Sequence, residues 1–189
     1  MESMLIVSSM EKAKSLLCEW AKTGSVSQVY TADSGSEARQ WLIDNECDLL
    51  VINAPLRDEF GHELALMASE STTAGVVLLV KSELFDEIAD KVEDAGVFMV
   101  EKPLNCTLYF QALRLASAST HRIRGLQSEN EILKKKIEEI KLVDRAKRVL
   151  MQYLSMNEPQ AHRYIEKQAM DMRMSRMEIA QSILRTYET

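Results

Sequence analysis

The order of apolar and polar positions divides this chain into two dissimilar parts. Through residue 104, short apolar runs alternate with amphipathic stretches. The runs are Met4–Val7, Val26–Ala32, Leu49–Ile52, Val76–Val80 and Phe98–Val100. Between them lie Glu11–Thr23, Ser34–Asn45, Phe60–Ser71 and Ser82–Ala95. Three of the runs are almost unbroken hydrophobic, as parallel strands covered on both faces require. Ser34-Gly35-Ser36-Glu37 has capping-box spacing and marks a helix start. Strand–helix repetition of this length predicts an α/β unit, a doubly wound parallel five-stranded sheet.

After Pro103 the pattern changes. A fifth helix begins there and meets no breaker. From Ile123 its apolar positions follow a heptad seam: Ile123, Leu126, Asn130, Leu133, Ile137 and Ile140 alternate at spacings of three and four. That is an a/d pattern with a polar Asn130 at an a position, where Asn favours a dimer in fixed register at some cost in stability. In a parallel pair Glu129 faces Lys134 of the second copy and attracts it, whereas Lys136 faces Lys141 and repels it. The seam predicts a homodimer through a coiled coil. An amphipathic helix folded back on its own first domain would show the same stripe. Gly125 weakens the helix by about 1 kcal/mol relative to Ala and is a candidate bend.

Beyond Lys141 the seam breaks and three shorter helices are expected, forming a small bundle. Leu142–Leu154 is the first. Asn157 caps the second, with Pro159 in its first turn and Gln160 three residues after the cap. Ser175-Arg176-Met177-Glu178 is another capping box and opens a third helix to about Arg185. Ala146, Val149, Leu150 and Tyr153 should face inward from the first helix. Ala161, Ile165, Ala169 and Met172 should do so from the second, and Ile179, Ile183 and Leu184 from the third. The expected organisation is a sheet domain over 1–120, a long coiled-coil linker helix over 121–141 and a three-helix domain over 142–189.

Charge follows the same division. The net charge of -6 hides 9 Lys/Arg against 19 Asp/Glu in residues 1–120, and 14 against 10 in residues 121–189. An acidic module joined to a mildly basic helical segment suits a polyanionic partner for the second part. A solvated helical surface gives a similar balance. No stretch approaches the ~20 apolar residues needed to cross a bilayer. The start MESMLIV lacks a basic region ahead of a short apolar run, so a cytoplasmic protein without membrane contact is expected. Cys18, Cys47 and Cys106 have no metal-ligand spacing and read as thiols of a reducing compartment. His62, His121 and His162 have no matched Cys or carboxylate constellation, and no Gly-rich phosphate loop occurs. No enzyme, metal or cofactor is expected.

One strand end carries the sharpest chemical signal. The third apolar run closes as Leu49-Leu50-Val51-Ile52-Asn53. Ser8-Ser9 follows the first run, Val80 ends the fourth, and Lys102 precedes Pro103 after the fifth. In this order of elements, residues 4 to about 118 resemble the receiver domain of two-component response regulators, a flavodoxin-like fold. The family builds its site from an acidic pair after the first strand and an acceptor aspartate ending the third. A Thr or Ser ends the fourth, and a lysine ends the fifth. The acids hold magnesium, which neutralises the phosphoryl oxygens during transfer.

Here only Lys102 survives. The acidic pair is Ser8-Ser9, the acceptor is Asn53, the hydroxyl position is Val80, and Met99 stands where the family often has a switching aromatic. An amide forms no acyl phosphate, and two hydroxyls do not replace two carboxylates around a hard divalent cation. The resemblance therefore implies a pseudo-receiver that works without phosphorylation, with a protein partner or a ligand as its possible input. Asp58 reads as a solvated loop acid, not a substitute acceptor. Lys102 is left to bond Asn53 or a backbone carbonyl, or to snorkel at the strand end.

The C-terminal stretch supplies the second resemblance. Ala146-Lys147 with Leu150-Met151, Glu158 through Ala161, Tyr164-Ile165, Ala169-Met170 and the Ser175–Leu184 helix together resemble the ANTAR domain, over about residues 126–187. Many members have Gly after the Ala-Lys pair, where this chain has Arg148. The resemblance implies a dimeric transcription antitermination regulator that binds hairpin loops in nascent RNA.

The candidate RNA-binding residues are Arg145, Lys147, Arg148, Arg163, Lys167, Arg173, Ser175 and Arg176. Arg145, Arg148 and Gln152 share one side of the first helix, and Arg163 and Lys167 are four apart on the second. Arg173 and Arg176 bracket the turn into the third, whose N-terminus can receive a phosphate. Loop bases stack on aromatic rings or guanidinium planes. Tyr153, Tyr164 and His162 are candidates, although Tyr164 borders the apolar face and is better explained by packing in the core. Two other classes compete. One is a DNA-binding regulator, against which stands the lack of a tight helix-turn with a basic recognition helix. The other is a dimeric adaptor without nucleic acid.

Overall fold

A computed structural model describes residues 3–23 and 26–187. Two compact units divide at residue 125. The ends of the expected outer domains, residues 1–2 and 188–189, lie outside the described residues.

In the first unit β1 (Ser3–Val7), β2 (Gln28–Ala32), β3 (Leu49–Asn53), β4 (Gly75–Lys81) and β5 (Phe98–Lys102) form one parallel sheet in the order β2-β1-β3-β4-β5. β3 is buried at every position and β4 at all but its last, which is why their sequences are continuously apolar. On one face, α1 (Glu11–Thr23) and the start of α5 (Cys106–Leu154) cover Met4, Ile6, Leu49, Val51, Val77 and Leu79. On the other, α2 (Gly35–Asp44), α3 (His62–Ser71) and α4 (Phe85–Val92) cover Leu5, Val7, Leu50, Ile52, Leu78 and Val80. The alternation of these two sets along each strand is the two-residue period of the pleat.

Local signals act largely as read. Ser34 Oγ accepts from the Glu37 amide at 3.1 Å. Glu37 then reaches one residue beyond the expected box and accepts from the Asp33 amide at 2.7 Å. Asp58 is more than a solvated acid: it accepts from the amides of Gly35 and Ser36 and from the Ser36 hydroxyl, at 2.7–2.9 Å. These bonds close the N-terminus of α2 and hold the Asp58 carboxyl well below the ordinary range. Gly75 opens β4 where a Cβ would stand 2.8 Å from the Ala116 carbonyl of α5, so any larger residue would push that helix off the sheet. Arg124 ties the same region together. Its guanidinium bonds Asp48 and, at 3.1 Å, the Thr73 hydroxyl.

In the second unit the expected first bundle helix is not a separate element. Leu142–Leu154 is the tail of α5, one helix of 49 residues. Nothing between Ile137 and Leu150 breaks a helix, and Gly125 does not interrupt it either. α6 (Glu158–Met172) has the full capping box of Asn157 and Gln160, and α7 (Arg176–Tyr187) has that of Ser175 and Glu178. The core is Ala146, Val149, Leu150, Ala161, Ile165, Ile179, Ala180, Ile183 and Leu184, with Ala169 half-buried against it. Tyr153 and Met172 are corrections to the expected inward set: both are exposed. Tyr153 lies in the last turn of α5, at the edge of the bundle, with its ring tilted against that of Tyr187 at 5.4 Å. Met172 ends α6, just before the chain reverses at Arg173.

Candidate functional site

At the carboxyl ends of the strands, where doubly wound sheets bind ligands, the side chains of Asn53 and Ser8 bond each other. Asn53 is 3% exposed and its amide nitrogen donates to Ser8 Oγ at 2.9 Å. Ser8 is fully buried and also receives the Met10 amide. Ser9 turns away and donates to the Pro55 carbonyl at 3.3 Å. Val80 is fully buried, and Met99 packs against the apolar core. Among the described residues no group of His, Cys, Asp or Glu is placed to hold a metal ion.

Lys102 donates to the Ala54 backbone carbonyl. Of the three fates open to it, the structure selects the carbonyl. With no carboxylate partner, burial and then the charge of Lys81 push the Lys102 ammonium down to about 8. An unfolded lysine holds its proton to about 10.4. Between these values the unfolded chain binds more protons, so stability rises with pH across that window. Lys102→Met should therefore be more stable than the wild type near pH 7, and its advantage should shrink between pH 8 and 10. Urea melts of both proteins at each pH test this. Comparing the pair cancels the Cys47 thiol, which burial pushes up to about 11. A constant difference across the range would refute the account.

The three-helix unit sorts its basic residues into two groups. Lys147 is held by Asp144 at 2.7 Å and Glu158 at 3.2 Å, with only 15% of its side chain exposed. Those bonds raise its pKa. Arg176 pairs with Glu139 at 3.3 Å. Ser175 is consumed by capping, since its amide and hydroxyl both donate to Glu178 at 2.8 Å. Arg145 also has a partner. By contrast Arg148, Arg163, Lys167 and Arg173 are exposed, and none has an ion pair among the described residues. Arg163 and Lys167 lie opposite Ala161 and Ile165 on α6. Arg173 is the left-handed residue that ends this helix, and its amide bonds the Ala169 and Met170 carbonyls.

A cleft of about 360 Å³ is lined by Lys136, Glu139, Ile140, Val143, Lys147 and Arg176, among others. Of its cations, Lys147 is already paired with Asp144 and Glu158, and Arg176 with Glu139. Sequence spacing did not reveal these pairings, because Glu139 and Glu158 lie 37 and 11 residues from their partners. The linking pair is testable. Glu158→Gln should leave Lys147 with Asp144 alone and destabilise the unit by about 0.5 kcal/mol or less, as exposed pairs do; a loss above 2 kcal/mol in thermal melts would contradict this.

Tyr164 is 37% exposed, at the edge of the core as its position suggested. His162 pairs with Glu166 at 3.3 Å whenever it is protonated. The turn between α6 and α7 is only three residues long, tighter than the sequence suggested. Nevertheless α7 exposes Glu178, Ser182, Arg185 and Thr186, which is not a basic recognition face. All six seam residues, Ile123 to Ile140, are exposed, the five apolar ones by 45–63%.

A five-stranded parallel sheet of receiver-like fold, followed by a capped three-helix unit, defines the architecture of the chain. Comparison with known proteins gives the same composition. Residues 131–184 match the ANTAR domain. The transcriptional regulatory protein PdtaR of Mycobacterium tuberculosis is 28% identical over 174 residues, covering 92% of this chain and 84% of that protein. The nitrate regulatory protein of Klebsiella oxytoca is 35% identical over 96 residues, 51% of this chain and 22% of that one. Among solved structures, the signal receiver domain of an HD domain-containing protein from Pseudomonas fluorescens superposes with a TM-score of 0.59 at 22% identity, over 66% of this chain and 92% of that one. A response regulator receiver domain protein from Clostridium thermocellum gives 0.58 at 13% identity, over 65% and 99%. The chain thus carries a response-regulator receiver-like fold at its N-terminal end and an ANTAR domain at its C-terminal end. Both of these relatives are regulatory proteins by name, the first a transcriptional one. Among the described residues no helix is long and apolar enough to cross a membrane.

Proposed function

We propose that this protein is a transcription antitermination regulator that binds hairpin-loop RNA through its ANTAR domain and needs no phosphorylation. The observation that carries the reading is the set Arg148, Arg163, Lys167 and Arg173, four exposed cations without an ion pair among the described residues. Asp144 and Asp171 stand four residues from Arg148 and Lys167, yet neither closes an ion pair with them among the described residues, which leaves these cations available to phosphates. Hairpin loops present closely spaced phosphates and unstacked bases to such a surface. Lys147, Ser175 and Arg176 serve the domain's own structure in this reading, and Arg145 is a secondary contact. The decisive assay is fluorescence anisotropy with labelled RNA hairpins and with duplex DNA, at moderate salt. Hairpin-selective, salt-sensitive binding supports the proposal, and preference for duplex DNA sinks it.

Residues 1–120 act as the input module, 121–141 as the dimer helix and 142–189 as the output. The exposed seam supports pairing of two copies, since a row of large apolar side chains left in water is costly. Asn130→Ile should strengthen association while loosening the choice of oligomeric state. Sedimentation of the variant should then show species larger than a dimer. A dimer presents two output modules, so a transcript with two spaced loops should bind more tightly than one loop through effective concentration. With Asn53, Ser8 and Ser9 in place of acids, the chain should take no phosphoryl group from a small-molecule phosphodonor with magnesium. Intact-mass measurement checks this, and a stable phosphoryl adduct on the sheet domain would overturn it. The input to the receiver-like unit is then a protein partner, a ligand, or none.

A further inference from the structure

On the solvent face of α6 one large apolar side chain is left uncovered among cations. Met170 is 78% exposed and takes no part in the core of its unit. Arg163, Lys167 and Met170 stand at positions i, i+4 and i+7, which places them in one stripe along the helix, opposite Ala161 and Ile165. Three residues beyond Met170 the chain turns at Arg173, and Met174 follows, 41% exposed. The acids on this helix are Glu158, bonded to Lys147, Glu166, facing His162, and Asp171, which is exposed one turn beyond Lys167 at the edge of the stripe and leaves its balance at two cations to one acid.

This arrangement suits one kind of partner. Arg163 and Lys167 repel each other at helical spacing. Covering them with a neutral protein surface would strip water from both without compensation. A polyanion relieves that repulsion. A nucleic acid also brings flat, polarisable rings, and the thioether of methionine makes favourable contacts with such rings. We propose that Met170 is the platform on which an unpaired RNA loop base rests, with Arg163, Lys167 and Arg173 holding the flanking phosphates. The inference rests on the RNA reading above and deepens it, because it assigns the discrimination between loop and stem to an apolar contact. Phosphate contacts alone do not distinguish the two. An uninterrupted A-form duplex keeps its bases stacked and offers Met170 nothing.

The test uses the full chain, a labelled RNA stem–loop and an uninterrupted RNA duplex of the same length. Met170→Ala should weaken stem–loop binding roughly threefold to tenfold, the range of sulfur–ring contacts. The slope of affinity against salt should not change, and neither should the weak affinity for the duplex. Met170→Leu, which keeps the apolar bulk but not the sulfur, should fall between the wild type and Met170→Ala. Lys167→Ala should instead lower the salt slope by about one. Circular dichroism should show unaltered helix content in all three variants, since the replaced side chains lie outside the core. Unchanged stem–loop binding by Met170→Ala, or an equal loss on stem–loop and duplex, would overturn this inference and leave RNA binding standing. If the wild type binds neither RNA, the antiterminator reading falls, the platform falls with it, and the patch belongs to a protein partner.

Discussion

Alanine at both Arg163 and Lys167 should lower affinity for hairpin RNA by roughly a hundredfold at moderate salt. Each charge-assisted bond to a phosphate is worth about 1.5 kcal/mol at the low end, a factor of ten or more. Two such contacts four residues apart on a rigid helix should combine nearly additively, provided that they reach different phosphates. The salt slope should fall by about two, one unit for each lost contact. Stability should hardly change, because both side chains are exposed, neither has an ion pair among the described residues, and their mutual repulsion is removed. Lys147→Ala is the informative contrast. It removes a cation that is already bonded to Asp144 and Glu158. It should therefore reduce stability more than it reduces RNA binding. Equal losses of RNA affinity for Lys147→Ala and Lys167→Ala would show that this division of the basic residues is wrong.

Leu133→Asp should convert the protein from dimer to monomer at tens of micromolar. Leu133 sits at a d position near the middle of the seam and is 51% exposed in the single chain. Pairing buries it in both copies, so the substitution counts twice. Losing a buried leucine costs at least about 2 kcal/mol per copy, and the introduced carboxylates face each other across the seam. A dissociation constant should rise by more than a thousandfold on this basis. The sheet unit should be untouched, because Leu133 lies outside it. Analytical ultracentrifugation of wild type and variant measures both states. A wild type that already sediments as a monomer at this concentration would remove the coiled-coil dimer from the proposal. RNA with a single loop should still bind the Leu133→Asp monomer, whereas the advantage of two loops should vanish.

Much of this architecture was open to reading before any coordinates. Continuous apolar runs such as Leu49–Ile52 and Val76–Val80 have few options other than a strand buried on both faces, so the sheet followed from periodicity. Caps are short-range chemistry, so the helix starts after Ser34, Asn157 and Ser175 were legible. That Asn53, Ser8 and Ser9 stand where the receiver resemblance expects an acceptor and two acids is a statement about side-chain identity, and identity is what a sequence contains. The ANTAR match over 131–184 rests on the same spacing of small and apolar residues that packs the three-helix core.

Other features depended on distance in space. Asp58 looked like a loop acid until its 22-residue separation from Ser36 closed to 2.9 Å. Lys102 had three possible partners, and the chain path after β3 brought up the Ala54 carbonyl. The first bundle helix appeared separate because the seam ended at Ile140, yet a change of apolar face does not end a helix. That needs a breaker, and none is present before Leu154. Above all, eight candidate RNA contacts looked alike in the sequence. Only folding brought Glu158 to Lys147 and Glu139 to Arg176, leaving Arg148, Arg163, Lys167 and Arg173 without such partners. The strands, most helices, the caps and the amide at Asn53 were legible in the chain, because these depend on residue type and local period. The tertiary structure decided which charges are spent on the protein itself, because a charge is neutralised by whatever folding brings within about 4 Å.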